Sequence, residues 1–282
     1  MRREQSIGEI SDGRRYRADD LVKIGTNGCL SCCDCCRMDA LIVLDPWDIY
    51  QLKKASGCGL EKLLNVTVRL EVIDGLIQPV LAMAGGACPY LGADGRCEIH
   101  AYRPGICRLY PLGRCWEDGD FSYILQVGEC THCTGSKVKV KKWLGIPDLS
   151  RYEAYCRTWH AFLKAAQACC EGGEGSTGTE QMRGTAAGST GAAQTQGTAA
   201  GRTGAARTQG TAAGRTGAAR TQGTAAGRTD AAQDHLRKIV CMQILEKCYL
   251  AGFDTEKDFY PQFEDQLQAA CRSLGIGSIQ RL

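Results

Sequence analysis

The sequence predicts an α+β fold: a small, irregular, cysteine-rich domain with short hairpins and flanking helices, interrupted by a disordered low-complexity linker. Three observations lead there. Cysteine is far too frequent for an ordinary packed core, with 18 among 282 residues. Alternating apolar and polar runs are joined by an Asp-Gly pair, the period and turn chemistry of a hairpin. From Gly184 a thirteen-residue unit recurs in which no residue is larger and more apolar than alanine or threonine.

Residues 1–28 read as a polar lead-in, with an early strand expected near Leu21-Val22-Lys23-Ile24. Leu41-Ile42-Val43-Leu44 reads as a short buried strand. Asp45-Pro46-Trp47-Asp48 then starts a helix, with Asp45 at the N-cap and Pro46 in the first turn, where its missing N–H costs nothing. That helix is expected to end at Ser56, before Gly57, with one or two further turns over Leu60–Leu64. Val66 to Val72 alternates as a half-buried strand does, Asp74-Gly75 supplies a tight turn, and Leu76 to Met83 returns as its partner. A second pair, Asp94-Gly95, turns the chain between Cys88 and Cys97, and Phe121 to Val127 reads as a strand leading to Cys130. From Pro147 to about Cys169 the pattern is helical, with Leu149, Tyr152, Tyr155, Trp159, Phe162 and Leu163 near one face.

The repeats cannot bury enough apolar surface to offset chain entropy, so 171–230 is expected to be a disordered, Gly-rich linker without a catalytic role. Order is expected to resume at about Ala231. Leu236, Ile239, Val240, Ile244, Leu245 and Tyr249 follow helical spacing, and a last helix opens at Phe259-Tyr260-Pro261. The tail 231–282 is too short to stand alone and is expected to pack back on the domain formed by 29–170, leaving one split domain.

Composition narrows the chemistry. The N-terminus is polar, without the apolar core of an export signal, and no stretch approaches the roughly 18 uncharged apolar residues of a membrane helix. Many cysteines without an export signal point to metal binding in a reducing cytoplasm rather than to a secreted disulfide framework. The net charge of +3 owes part of its excess to the repeat arginines, so no nucleic-acid partner and no membrane is expected.

The residues that carry chemistry begin with Cys29, Cys32, Cys35 and Cys36. Thiolates are soft ligands, and the C-x2-C-x2-C spacing is that of three corners of a bacterial ferredoxin cluster; four thiolates also suit zinc. Cys88, Cys97, Cys107 and Cys130 follow in loop-like contexts, which allows two four-thiolate sites or one cluster with spare thiols. Arg103 and Arg108 bracket Cys107, where a guanidinium lowers a thiol's pKa and offsets the charge of a thiolate-rich centre; surface ion pairing is the alternative. His100 is an alternative ligand. Cys58, Cys156, Cys169, Cys170, Cys241, Cys248 and Cys271 read as small core residues, while Cys115 and Cys133 are not assigned. The thiol-only donor set favours an iron–sulfur cluster of the 4Fe–4S type, with zinc as the alternative.

These residues resemble the YkgJ-like cysteine-cluster proteins, whose CxxCxxCC pattern is matched by Cys29, Cys32, Cys35 and Cys36. The likeness continues through Cys88-Pro89-Tyr90-Leu91, Asp94 to His100, Arg103 to Pro111, Glu129-Cys130, Lys139 to Leu144, Trp159-His160 and Asp258 to Phe263, skipping the repeats. Cys33, where glycine is common in that family, is a departure. The resemblance implies a zinc- or iron-chelating domain. That family is also similar to the flagellin lysine N-methylases, which implies an enzymatic alternative, methyl transfer to a protein lysine. No glycine-rich nucleotide loop supports this independently. A structural zinc module presenting an interaction surface is the other alternative, and thiol–disulfide exchange by Cys130-x2-Cys133 a weaker one. A protein or redox partner is expected; its identity is not.

Overall fold

The computed structural model describes residues 7–24, 34–38, 40–130, 135–171, 225–277 and 279. In chain order these form α1 (Ile7–Ile10), β1 (Leu21–Lys23), α2 (Pro46–Ser56), α3 (Leu60–Leu63), β2 (Val68–Ile73), β3 (Leu76–Leu81), α4 (Gly105–Leu109), β4 (Leu112–Glu117), β5 (Asp120–Leu125), β6 (Lys137–Lys139), α5 (Val140–Leu144), α6 (Leu149–Cys170), α7 (Ala225–Ile244) and α8 (Phe259–Leu274). The class is α+β. The strands form three separate antiparallel pairs, β1–β6, β2–β3 and β4–β5, rather than one sheet.

The hairpins follow from their turns. Asp74 and Gly75 both have positive φ, 49° and 80°, as a two-residue type I′ turn requires, and they join β2 to β3 in register Ile73↔Leu76. Asp118 and Gly119 do the same, at 49° and 79°, between β4 and β5. Strand β4 is an addition to the expected elements, although the Asp118-Gly119 dipeptide carried its signal. The strand expected at Leu41–Leu44 reduces to a single bridge, Val43↔Val80, flanked by Leu44 N–H to Pro79 O (2.9 Å) and Leu81 N–H to Ile42 O (3.0 Å). It adds an edge to β3 without becoming a ladder.

The lead-in is stitched to the body. β1 pairs with β6 through Val22↔Val138, and Tyr16, which is buried, exchanges backbone hydrogen bonds with Tyr123 on β5 (2.8 and 2.9 Å).

Helix α2 starts and stops as expected. Asp45 caps it through Asp48 N–H, Asp48 returns the bond to Asp45 N–H, and Gly57 ends it in the left-handed conformation at φ 71°. Tyr152, Tyr155, Trp159 and Phe162 share one face of α6 and are buried, together with Phe259 and Phe263 of α8 and Tyr249. Tyr155 lies edge-on to Phe263 at 4.7 Å and to Phe259 at 5.2 Å, and Trp159 meets Tyr249 at 5.8 Å. The segment beyond the repeats therefore shares one core with the segment before them. Backbone carbonyls add to the join: Tyr50 Oη donates to Lys257 O (3.0 Å), Lys53 Nζ to Phe253 O (2.6 Å) and Tyr249 Oη to Leu44 O (3.2 Å). Helix α7 begins at Ala225, inside the last partial repeat and ahead of the expected resumption at Ala231, and continues as a π-helix over Leu245–Leu250. The linker expected over 171–230 lies outside the described residues from 172 to 224.

Candidate metal centre

Three segments distant in sequence carry cysteines to one place. Cys35 and Cys36 sit on a 3-10 turn, Asp34–Cys36. Cys88 is spliced to it by backbone, its N–H donating to Cys36 O at 2.8 Å. The chain then loops and comes back: Gly92 N–H bonds Arg96 O (2.8 Å), Asp94 Oδ1 accepts from Arg96 N–H (3.0 Å), and the bridge Leu91↔Cys97 returns Cys97 beside the Cys88 turn. Gly95, at φ 74°, is the residue that permits this reversal. A 3-10 turn over His100–Tyr102 and Pro104 leads into α4, which carries Cys107.

The thiols perturb one another. Hydrogen bonding from Cys36 lowers the pKa of Cys35 to about 7 and that of Cys88 to about 7. Cys36 is driven strongly upward, first by its hydrogen bonds with Cys35 and Cys88 and then by burial. Burial raises Cys97, with the charges of Cys88 and Cys35 adding to the effect. Cys107 goes up chiefly by burial, reinforced by the fields of Asp48, Cys35, Cys88 and Cys97. Five sulfurs in each other's fields, without enough cationic charge to ionise them all, suit a cation that takes thiolates. The same five line a groove of about 1120 Å³, whose wall is continued by Met38 and Met83. Among the described residues no three His, Cys, Asp or Glu side chains already converge on a common point.

Of the residues expected at the site, Cys35, Cys36, Cys88, Cys97 and Cys107 come together. Cys29 and Cys32 lie outside the described residues, as do Cys33 and Cys133. Cys130 is half-buried in the loop after β5, where its neighbour Glu129 lines the groove and accepts a hydrogen bond from Tyr110 Oη through its carbonyl.

The arginines act differently from expectation. Cys107 is raised by burial rather than lowered by the guanidinium groups on either side of it. Arg103 instead exerts its pull on Cys35 and Cys97. Arg108 is spent on structure: Nε donates to Arg103 O (3.2 Å), Nη2 donates to Ala101 O, and its guanidinium lies 5.6 Å over the Trp47 ring. Arg103 Nη1 donates to His100 O at 3.1 Å and touches the His100 ring. Burial, then the charges of Arg103 and Arg108, lower the pKa of His100, so the ring is neutral at pH 7.

Sequence reading missed the polar group beneath α4. Asp48 Oδ1 accepts from Gly105 N–H at 2.7 Å, and Arg114 Nη2 donates to Tyr152 Oη at 3.2 Å between the rings of Phe121 and Tyr152. Burial raises the pKa of both Asp45 and Asp48. The Asp45-x2-Asp48 capping spacing was legible; its long-range partner Gly105 had no local signal.

Residues 28–133 match the family model CxxCxxCC, described as a putative zinc- or iron-chelating domain. No curated protein and no solved structure matches the chain.

Proposed function

We propose, from the premise that residues 28–133 are a CxxCxxCC domain, that this chain holds an iron–sulfur cluster through cysteine thiolates. The observation that carries the reading is the gathering of Cys35, Cys36 and Cys88 within hydrogen-bonding reach, with Cys97 and Cys107 in the same field. Cys29, Cys32 and Cys130 complete the candidate ligands. When bound, such a cluster supplies a one-electron couple whose potential depends on its hydrogen bonds and exposure. The protein's own part is to surrender thiol protons and to offset thiolate charge with Arg103. A reducing cytoplasm and a redox partner belong to this reading.

A four-thiolate zinc site is the second reading. It is favoured by the family description, which names zinc beside iron, and by the suitability of four thiolates for zinc. Metal and acid-labile sulfide analysis on protein purified without oxygen decides between them. Iron with matching sulfide is the expected result. Zinc without sulfide replaces the cluster by a structural centre, and protein that takes up neither metal after reconstitution sinks both readings.

A further inference from the structure

Asp48 forms more hydrogen bonds than its place in α2 requires. A capping box needs one side-chain oxygen at the third helical position, and surface residues supply it without burial. Here Asp48 Oδ2 accepts from Asp45 N–H at 3.0 Å, which completes the box. Oδ1 turns the other way and accepts from Gly105 N–H at 2.7 Å, a bond that crosses 57 positions of sequence. The residue is only 2% exposed. Burying a carboxylate costs free energy unless its oxygens are engaged, and both are.

Gly105 is fixed from the opposite side as well. A Cβ on it would overlap Tyr152 Oη, the hydroxyl that accepts from Arg114 Nη2. The peptide at the start of α4 is thus wedged between a carboxylate on α2 and a phenol on α6. At the other end of α4, Arg108 rests on Trp47, the residue before Asp48. Both ends of this five-residue helix lean on the first turn of α2, and Cys107 lies in the middle.

We infer that Asp48 is a positioning residue for the metal centre: through the Gly105 N–H its carboxylate sets where the Cys107 sulfur stands relative to Cys35, Cys36, Cys88 and Cys97. The inference rests on the metal-binding reading above, with Cys107 as a ligand. Asp48 touches no metal in this scheme; it acts on the ligand's backbone, as outer-sphere partners of metal ligands do.

The test uses the full chain, stripped of metal and titrated with Co²⁺, whose thiolate charge-transfer and ligand-field bands report the ligand set, with chelator competition giving affinity. Asp48→Ala and Gly105→Ala are expected to weaken Co²⁺ binding by about 10- to 100-fold and to move the bands toward those of Cys107→Ser. Asp48→Asn is expected to stay within about threefold of wild type, because its amide oxygen still accepts from Gly105 N–H although its NH₂ cannot serve Asp45 N–H. Asp45→Ala removes the cap of α2 but leaves the Gly105 bond; it is expected to lower the melting temperature without moving the bands.

The inference is overturned if Cys107→Ser moves the bands while Asp48→Ala leaves bands and affinity at wild-type values, whatever Gly105→Ala does, since a Cβ there meets Tyr152 Oη and shifts α4 without Asp48. It is equally overturned if Asp45→Ala moves the bands as far as Asp48→Ala, since the effect is then α2 stability. Should Asp48→Ala fail to fold, Asp48→Glu decides: its longer side chain displaces the Gly105 N–H, and bands and affinity at wild-type values overturn the inference. Bands indifferent to Cys107→Ser remove this inference and spare the metal reading. A wild-type chain that binds no Co²⁺ removes both.

Discussion

The two sides of α2 are held by different forces. On one side Tyr50 packs tilted on Phe259, and Tyr155 meets Phe259 and Phe263 edge to face, all of them buried. On the other, short turns carrying Cys35, Cys36, Cys88 and Cys97 meet through a few backbone hydrogen bonds, and their thiols remain half-buried. Apolar burial at about 25 cal/mol per Å² sustains the first side by itself. The second packs Tyr90, Ile99 and Met83 against the core but leaves its sulfurs lining a groove, and on the metal-binding reading proposed above a bound cation adds to its order. The contrast separates a scaffold from a site.

The largest expected effect breaks that contrast most directly. Cys36→Ser removes the sulfur that bonds both Cys35 and Cys88. It is expected to abolish stoichiometric metal and to lower the melting temperature of the loaded protein to that of stripped wild type, while the stripped proteins melt alike. Phe263→Ala is the converse. Phe263 is fully buried among α6 and α8, and its truncation is expected to cost about 3–5 kcal/mol, with or without metal, by urea denaturation. If Cys36→Ser keeps full metal and an unchanged melting curve, the thiol side is ordinary core and the proposed centre is wrong. If the cost of Phe263→Ala disappears on stripping, the scaffold is not independent.

The scaffold was also the more legible side. Periods of 2 and 3.6, Asp-Gly turns and the Asp45-Pro46 start are local signals, and they located β2, β3, α2, α6 and α8 because packing agreed with propensity there. Strand β4 was missed because Gly113, Arg114 and Cys115 break the alternation that the Asp118-Gly119 turn completes. The cysteine turns carried a ligand-like spacing, yet the sequence did not say which sulfurs meet. That depends on Cys88 N–H reaching Cys36 O and on Gly95 reversing the chain, contacts between distant residues with no periodic trace. Asp48 shows the same limit: its cap is local and readable, its bond to Gly105 is neither.

A smaller effect sharpens the scaffold's boundary. Asp120 at the β4–β5 turn accepts from Arg157 Nε on α6 at 2.6 Å and from Arg17 Nη1 at 3.2 Å, and the hydrogen bond from Arg157 foremost holds its pKa down to about 2. A depressed carboxylate stabilises the fold above its unfolded pKa, near 4, and loses that contribution as pH falls through about 2. Asp120→Asn is therefore expected to melt below wild type at pH 7 and to converge with it as the pH is lowered from 4 toward 2. The gap is a few degrees at most and narrows in salt, because the pair is exposed. Metal content stays unchanged. A gap that widens on acidification reverses the sign and removes Asp120 from the scaffold.

The smallest effect is expected from the repeats. Excising Gly184–Gln222 removes three whole thirteen-residue copies and leaves α7 intact from Ala225. The geometry permits it. Gln233 Nε2 on α7 bonds Glu171 O, the residue after α6, at 3.4 Å. Ala225 lies eight residues before Gln233, about 12 Å along a helix at 1.5 Å per residue. The residues that remain, 172–183 and 223–224, span that distance easily at up to about 3.3–3.6 Å each. Metal stoichiometry and the urea midpoint are expected to match those of the full chain, since loop closure depends only weakly on loop length. A deletion variant that becomes insoluble, or loses metal while keeping the aromatic core, ties the repeats to the thiol side and ends the reading of them as a linker.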